Sequence, residues 1–303
     1  MVASGGDERD AGTPGDREHR HRHGFAGAGL AGLVLTPAVG FPAARQRQPE
    51  SATRRDRREL CISLAESATL MGQLVWDASQ RRDDAVSVQY FDQAIAAARE
   101  VRDPILEAHA HLRKGFVALY GTKDVREGLR LCNETALVSR KVSDVLTGLG
   151  FLHVSEAYAM LGERRHCERV LGKAEDSFAR IHHDDEALHM FSPTQFDRLA
   201  GSCYLSLGVN HKAEQILTKS ARSLVRWKKS QSIVLGNLTL AYVRQGKLEE
   251  ACGTLHQAID LIQETRGAGG LNIAFTAGRE LAPWCHEPGV QEISDRLFAL
   301  MAT

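Results

Sequence analysis

Four segments of this 303-residue chain align without gaps, and that recurrence restricts its fold more than any other feature. They are AYAMLGERRHCERVLGKA (157–174), CYLSLGVNHKAEQILTKS (203–220), AYVRQGKLEEACGTLHQA (241–258) and the weaker DASQRRDDAVSVQYFDQA (77–94). A fifth, LYGTKDVREGLRLCNETA (119–136), is degenerate. Each reads as the end of one helix, a short turn and the start of a second helix. In the clear copies the second helix carries a small, a large and another small residue: Cys167, Leu171, Ala174; Ala213, Leu217, Ser220; Ala251, Leu255, Ala258. In the degenerate copy Gly128, Cys132 and Thr135 take those places. Spacings of four and three put such residues on one helix face. The small ones admit a neighbouring helix and the large one fills the gap. From about Leu60 onward apolar residues recur at three and four, with Gly and Pro at the breaks, and no alternation marks a strand.

These copies resemble the tetratricopeptide repeat. Its turn glycine is matched by Gly162, Gly208 and Gly246, and the aromatic before it by Tyr158, Tyr204 and Tyr242. With Ala251 and Ala258, these are the expected repeat-packing positions. The resemblance covers about 60–262 and implies an all-α, TPR-like α-solenoid of about five helical hairpins. Residues 271–302 read as a further, capping helix pair, broken by LAPWCHEPG. The last small residues fall at Ala94, Thr135, Ala174, Ser220 and Ala258, in steps of 41, 39, 46 and 38. The family period is about 34. The excess predicts longer helices and loops, notably around RIHHDDEALHMFSPTQ (180–195).

Residues 70–112 resemble, more narrowly, the first repeat of actinobacterial helix-turn-helix/tetratricopeptide transcriptional regulators. The likeness lies in a Trp-x-Ala-type helix end, an aromatic-rich second helix, and an Ala-Arg-x-x-x-Asp-like step at Ala98, Arg99 and Asp103. In that family an N-terminal helix-turn-helix reads DNA and the repeats sense a peptide, small molecule or protein. Nothing in residues 1–59 supplies the helices of a DNA-binding domain. The chain therefore reads as a repeat-only relative or one lacking its start, and DNA binding is not supported for it alone.

Residues 1–59 form a separate region, a tail and an apolar linker, ahead of the repeat domain at 60–303. The first 23 nearly lack apolar residues, so they cannot bury a core and are expected to be disordered. GAGLAG (27–32) spells the dinucleotide fingerprint, but no strand precedes it and Pro37 stops any helix after it. The surrounding 17–44 reads as a Gly/Ala/Leu-rich linker. An export signal is the alternative, although GFPAAR offers no clean cleavage site. The run is too short to span a bilayer. RQRQPESATRRDRRE (45–59), with six Arg against three acids, reads as a solvated linker.

Lys plus Arg equals Asp plus Glu at 38 each, so net charge gives no argument for a nucleic-acid or membrane surface. The six cysteines form no CxxC and fit a reducing, cytoplasmic setting. Neither HRHRH (19–23) nor the His182, His183, Asp184, Asp185 and His189 cluster is read as a metal site. The latter reads as a polar loop with acids near the next helix start. His109 and His111, two apart, face different ways on a helix. RSLVRWKKS (222–230) reads as a basic helix end, and Trp76, Trp227 and Trp284 as packing residues. No nucleophile elbow, HExxH or P-loop is present, so neither a catalytic residue nor a cofactor is expected.

In a solenoid of this kind the first helix of each repeat lines a concave groove. Carrying the family's groove positions over repeat by repeat points to Gln73, Arg113, Glu156, Arg198 and Asn237. The expected partner is a protein or peptide ligand, and a homodimer is compatible with the pattern. The resulting expectation is a non-enzymatic ligand- or protein-sensing domain, with a static protein-interaction scaffold as the alternative.

Overall fold

Hairpins follow one another along the chain, as the repeat pattern predicts. The computed structural model describes residues 53–78, 84–265 and 268–301, all within one unit, Ala52–Thr303. Twelve α-helices account for most of them, and no strand occurs among the described residues. Five hairpins are α1 (Arg54–Ala78) with α2 (Asp84–Val101), α3 (Pro104–Phe116) with α4 (Val125–Ser139), α5 (Asp144–Met160) with α6 (Arg164–Ala179), α7 (Gln195–Ser206) with α8 (Asn210–Ser223), and α9 (Lys228–Val243) with α10 (Leu248–Thr265). A sixth, α11 (Ala268–Leu281) with α12 (Pro288–Met301), closes the array. The odd-numbered helices pack one on the next from α1 to α11, forming a continuous layer. Each even-numbered helix through α10 packs on its hairpin partner and on the first helix of the next hairpin. The fold is an all-α, TPR-like solenoid.

The small–large–small residues make these contacts. Cys167, Leu171 and Ala174, then Ala213, Leu217 and Ser220, then Ala251, Leu255 and Ala258, are all buried. Ser87, Phe91 and Ala94, at the same places of the weaker copy, do the same in α2. At Gly150 of α5 backbone approaches backbone. A Cβ there would lie 2.8 Å from the Ala136 nitrogen and 2.9 Å from the Cys132 oxygen of α4.

Gly162, Gly208 and Gly246 take φ of +75°, +72° and +72° at the ends of α5, α7 and α9. The residue after each glycine donates its N–H to the carbonyl of Tyr158, Tyr204 or Tyr242, and the glycine donates to the residue after that tyrosine. This double closure caps a helix C-terminus and needs a left-handed residue. It explains why tyrosine and glycine keep their separation. Tyr158 also stacks on His166 at 5.1 Å, and Lys212 lies over the Tyr204 ring at 4.0 Å. In the degenerate copy Lys123 takes the left-handed turn, with φ +60°. The Ala98, Arg99, Asp103 step has a parallel logic. Ala98 offers its carbonyl to the Asp103 N–H, Arg99 pairs with Glu107, and Asp103 Oδ1 caps α3 by accepting from Ile105 and Leu106.

Several local expectations need correction. Helix α1 starts at Arg54, so the end of the 45–59 stretch is helical; it stays exposed, and Arg57 pairs with Glu100. RSLVRWKKS is not one helix end. Arg222 closes α8, but Lys228 and Lys229 open α9, where the helix dipole opposes them and Lys228 is answered by Glu264. Trp76 is buried and Trp284 packs against the main core, but Trp227 is 66% exposed in the α8–α9 turn. The tail 1–52, with GAGLAG and the histidine run, lies outside the described residues.

The α6–α7 connection differs most. Its Ala187, Met190 and Phe191 pack with Leu112, Val145, Leu146 and Leu149 of α3 and α5. Asp185 does not serve the next helix. It reaches back to the start of α5, accepting from the Ser143 hydroxyl at 2.7 Å and the Val145 N–H at 3.1 Å.

Candidate functional site

Side chains from all six odd-numbered helices line one cleft of about 1250 Å³. Gln73, Arg113, Glu156, Arg198 and Asn237 all lie on its wall, one from each of α1, α3, α5, α7 and α9. Glu156 and Asn237 are buried; Gln73, Arg113 and Arg198 are half-buried. Phe116, Phe275 and Met301 add apolar wall, and Arg279 a further cation. This volume exceeds the usual range for a small-molecule pocket.

At the centre, α3 continues as a π-helical turn, Val117–Thr122. One-turn π segments re-aim a side chain within a helix. Here the turn brings Tyr120 to Glu156 and His153 of α5. The Tyr120 hydroxyl donates to Glu156 Oε2, and His153 Nδ1 lies 3.1 Å from the hydroxyl and 3.0 Å from the carboxylate. Burial, reinforced by the Glu156 charge, holds the Tyr120 phenol well above its ordinary pKa, so it keeps its proton. With the phenol proton spent on Glu156, the hydrogen on His153 belongs at Nδ1, facing two acceptors. His153 Nε2, buried in a side chain that is 4% exposed, then has no partner.

The two arginines are unsatisfied in another way. Arg198 forms no ion pair among the described residues. Burial lowers its pKa, against the pull of Tyr120 and Glu156, so it feels the Glu156 charge without bonding it. Arg113 likewise has no ion pair there. Burial lowers its pKa, its Nε donates to His109 Nε2 at 3.1 Å, and its guanidinium lies 5.7 Å from the Phe116 ring centre. The Phe116 and His153 rings are 4.5 Å apart, so Arg113, Phe116, His153, Tyr120 and Glu156 form one connected wall. Sequence reasoning missed Tyr120 and His153; neither occupies the carried-over groove position of its repeat. A smaller cleft of about 490 Å³ lies between α1, α3 and the α6–α7 connection, with Gln73 shared between the two.

The wall offers cations, the carboxylates of Asp77 and Glu156, the latter engaged by Tyr120 and His153, and further hydrogen-bonding groups. Among the described residues, no group of three His, Cys, Asp or Glu is placed to hold a metal, and no helix is long and apolar enough to cross a membrane. The model of the tetratricopeptide repeat matches residues 234–267, most of α9 and all of α10. No curated protein sequence matches this chain. Two solved structures of nearly identical TPR-like repeats, described as kinesin light chain from Podosopora anserina, are 14% identical to it. Each covers 69% of this chain, with 97% and 98% of their own lengths aligned and TM-scores of 0.46 and 0.45.

Proposed function

We propose that this chain is the ligand- or partner-sensing repeat domain of a bacterial regulator-like protein. It acts in the cytoplasm, without catalysis, by holding a peptide or protein segment in the inner cleft. The observation that carries the reading is the wall itself: five polar side chains from five successive first helices meet in one cleft, two of them arginines with no ion pair among the described residues. The regulator context is supported only by the likeness of residues 70–112. The cytoplasmic setting is supported by six free cysteines, four of them buried.

Sensing follows from the layout. A ligand touching every odd-numbered helix binds unequally to two packings of those helices, and so shifts their populations. Small-angle scattering of the full chain, with and without a saturating peptide selected on it, tests this. A sensor changes its radius of gyration when occupied. An unchanged curve at saturation leaves a static scaffold and removes the sensing role.

A further inference from the structure

We propose that the α8–α9 turn is a second contact surface, one that docks peripherally on an anionic lipid bilayer. It lies apart from the inner cleft, whose wall includes none of residues 222–229.

Apolar and basic side chains meet at this turn. Trp227 is 66% exposed and Val225 63% exposed. Arg222, Arg226, Lys228 and Lys229 around them are exposed as well. No acidic residue occurs between Glu214 and Glu249, while Lys219, Arg222, Arg226, Lys228 and Lys229 all fall in the first half of that interval. Asp197 answers Lys219 and Glu264 answers Lys228, so two of these five charges are offset from other helices. In a chain whose opposite charges balance at 38 each, the turn is a local excess of cations. Two lysines also open α9, where the helix dipole opposes them. That placement works against the helix, and a negative surface lying across the turn offsets it.

The tip is held in place from below. Leu224 is buried, Trp227 donates its N–H to the Leu224 carbonyl at 2.7 Å, and the Gln231 side chain donates to the Ala221 carbonyl at 3.1 Å. A turn that is already ordered loses little conformational entropy when it docks.

An anionic bilayer fits this combination best. An indole settles at the headgroup level, with its ring toward the apolar boundary and its N–H in the wet layer, and Val225 adds apolar area. The cations around such a tip are drawn to anionic headgroups. A protruding turn meets a flat surface without needing a complementary pocket. Nucleic acid accounts for the cations and for a stacked indole, but offers Val225 no apolar medium to enter.

The test is co-sedimentation of the full chain with vesicles of phosphatidylcholine alone or mixed with phosphatidylglycerol, beside the variants Trp227→Ser, Trp227→Phe, Arg226→Glu and Lys229→Glu. All three positions are exposed, and circular dichroism checks that each variant is folded. The full chain should bind the mixed vesicles and not the neutral ones. Brominated acyl chains should quench part of its tryptophan fluorescence, and Trp227→Ser should lack that part. Trp227→Ser should weaken binding about tenfold or more, and Trp227→Phe less. Each charge reversal should weaken it about twentyfold or more, because one cation near an anionic surface contributes about fivefold and a reversal counts twice. Arg54, Arg55, Arg57 and Arg58 of α1 form another basic cluster. Vesicle binding that Trp227→Ser and Lys229→Glu leave intact therefore arises elsewhere on the chain and overturns the inference. So does a failure to bind the mixed vesicles. A single-stranded oligonucleotide bound more tightly than the vesicles, and lost in the same variants, overturns it too and makes the turn a nucleic-acid face.

Discussion

Arg113 holds its place by donating to an unprotonated histidine. Burial first, then the charges of Arg113 and His189, lower the His109 pKa from 6.5 to about 4. The folded chain thus binds fewer protons there than the unfolded chain. The stabilisation is complete above the ordinary pKa and is lost as pH falls toward about 4. At about pH 5 the loss amounts to about 2 kcal/mol. Urea unfolding near neutrality and at about pH 5 should show the wild type losing more than His109→Gln by roughly that amount; equal losses would contradict the assignment. The turn residues give a second prediction. A Cβ at Gly162, Gly208 or Gly246 meets nothing within 4 Å, so replacement by Ala costs only backbone conformation, about 1–2 kcal/mol each. Lys123→Gly should gain on the order of 1 kcal/mol by the same measurement. Those glycines were legible because a left-handed turn selects for the residue. Lys123 was not, since a non-glycine in that conformation leaves no mark in the sequence.

Two elements depart from the regular repeat, and neither was fully readable in advance. The π-helical turn at Val117–Thr122 has the composition of a continuing helix, because widening one turn changes the backbone pairing and not the residue types. Without it, the Tyr120–Glu156 contact has no local signal. The α6–α7 connection was legible as an insertion, from the step of 46 between Ala174 and Ser220. Its destination was hidden, because Asp185 acts on Ser143 and Val145, about forty residues upstream. Asp185 also receives the Ala187 N–H at 3.0 Å. Asp185→Ala should therefore lose about 1–3 kcal/mol and speed hydrogen exchange in the first turn of α5, while α9 and α10 keep their rates. Uniform acceleration across all helices would mean that the connection stabilises the array as a whole.

Across the whole molecule, the repeat pattern carried the architecture because each hairpin buries its face only against its neighbours. Periodic small residues such as Ala213 and Ala251 are the direct record of that packing. The same regularity explains how Gln73, Arg113, Glu156, Arg198 and Asn237, scattered along the sequence, come to share one wall. What the repeat could not carry is which neighbour each polar group finds. That depends on departures from regularity, the π turn above all. The most direct measurement of the central idea, that the inner cleft is the binding face, is side-chain oxidation footprinting of the full chain with and without a selected peptide. Occupancy should protect Phe116, Phe275 and Met301, which line the cleft, and leave Trp227 and Phe298, exposed outside its wall, as reactive as before. Protection of Trp227 or Phe298 with the cleft residues unchanged would contradict it.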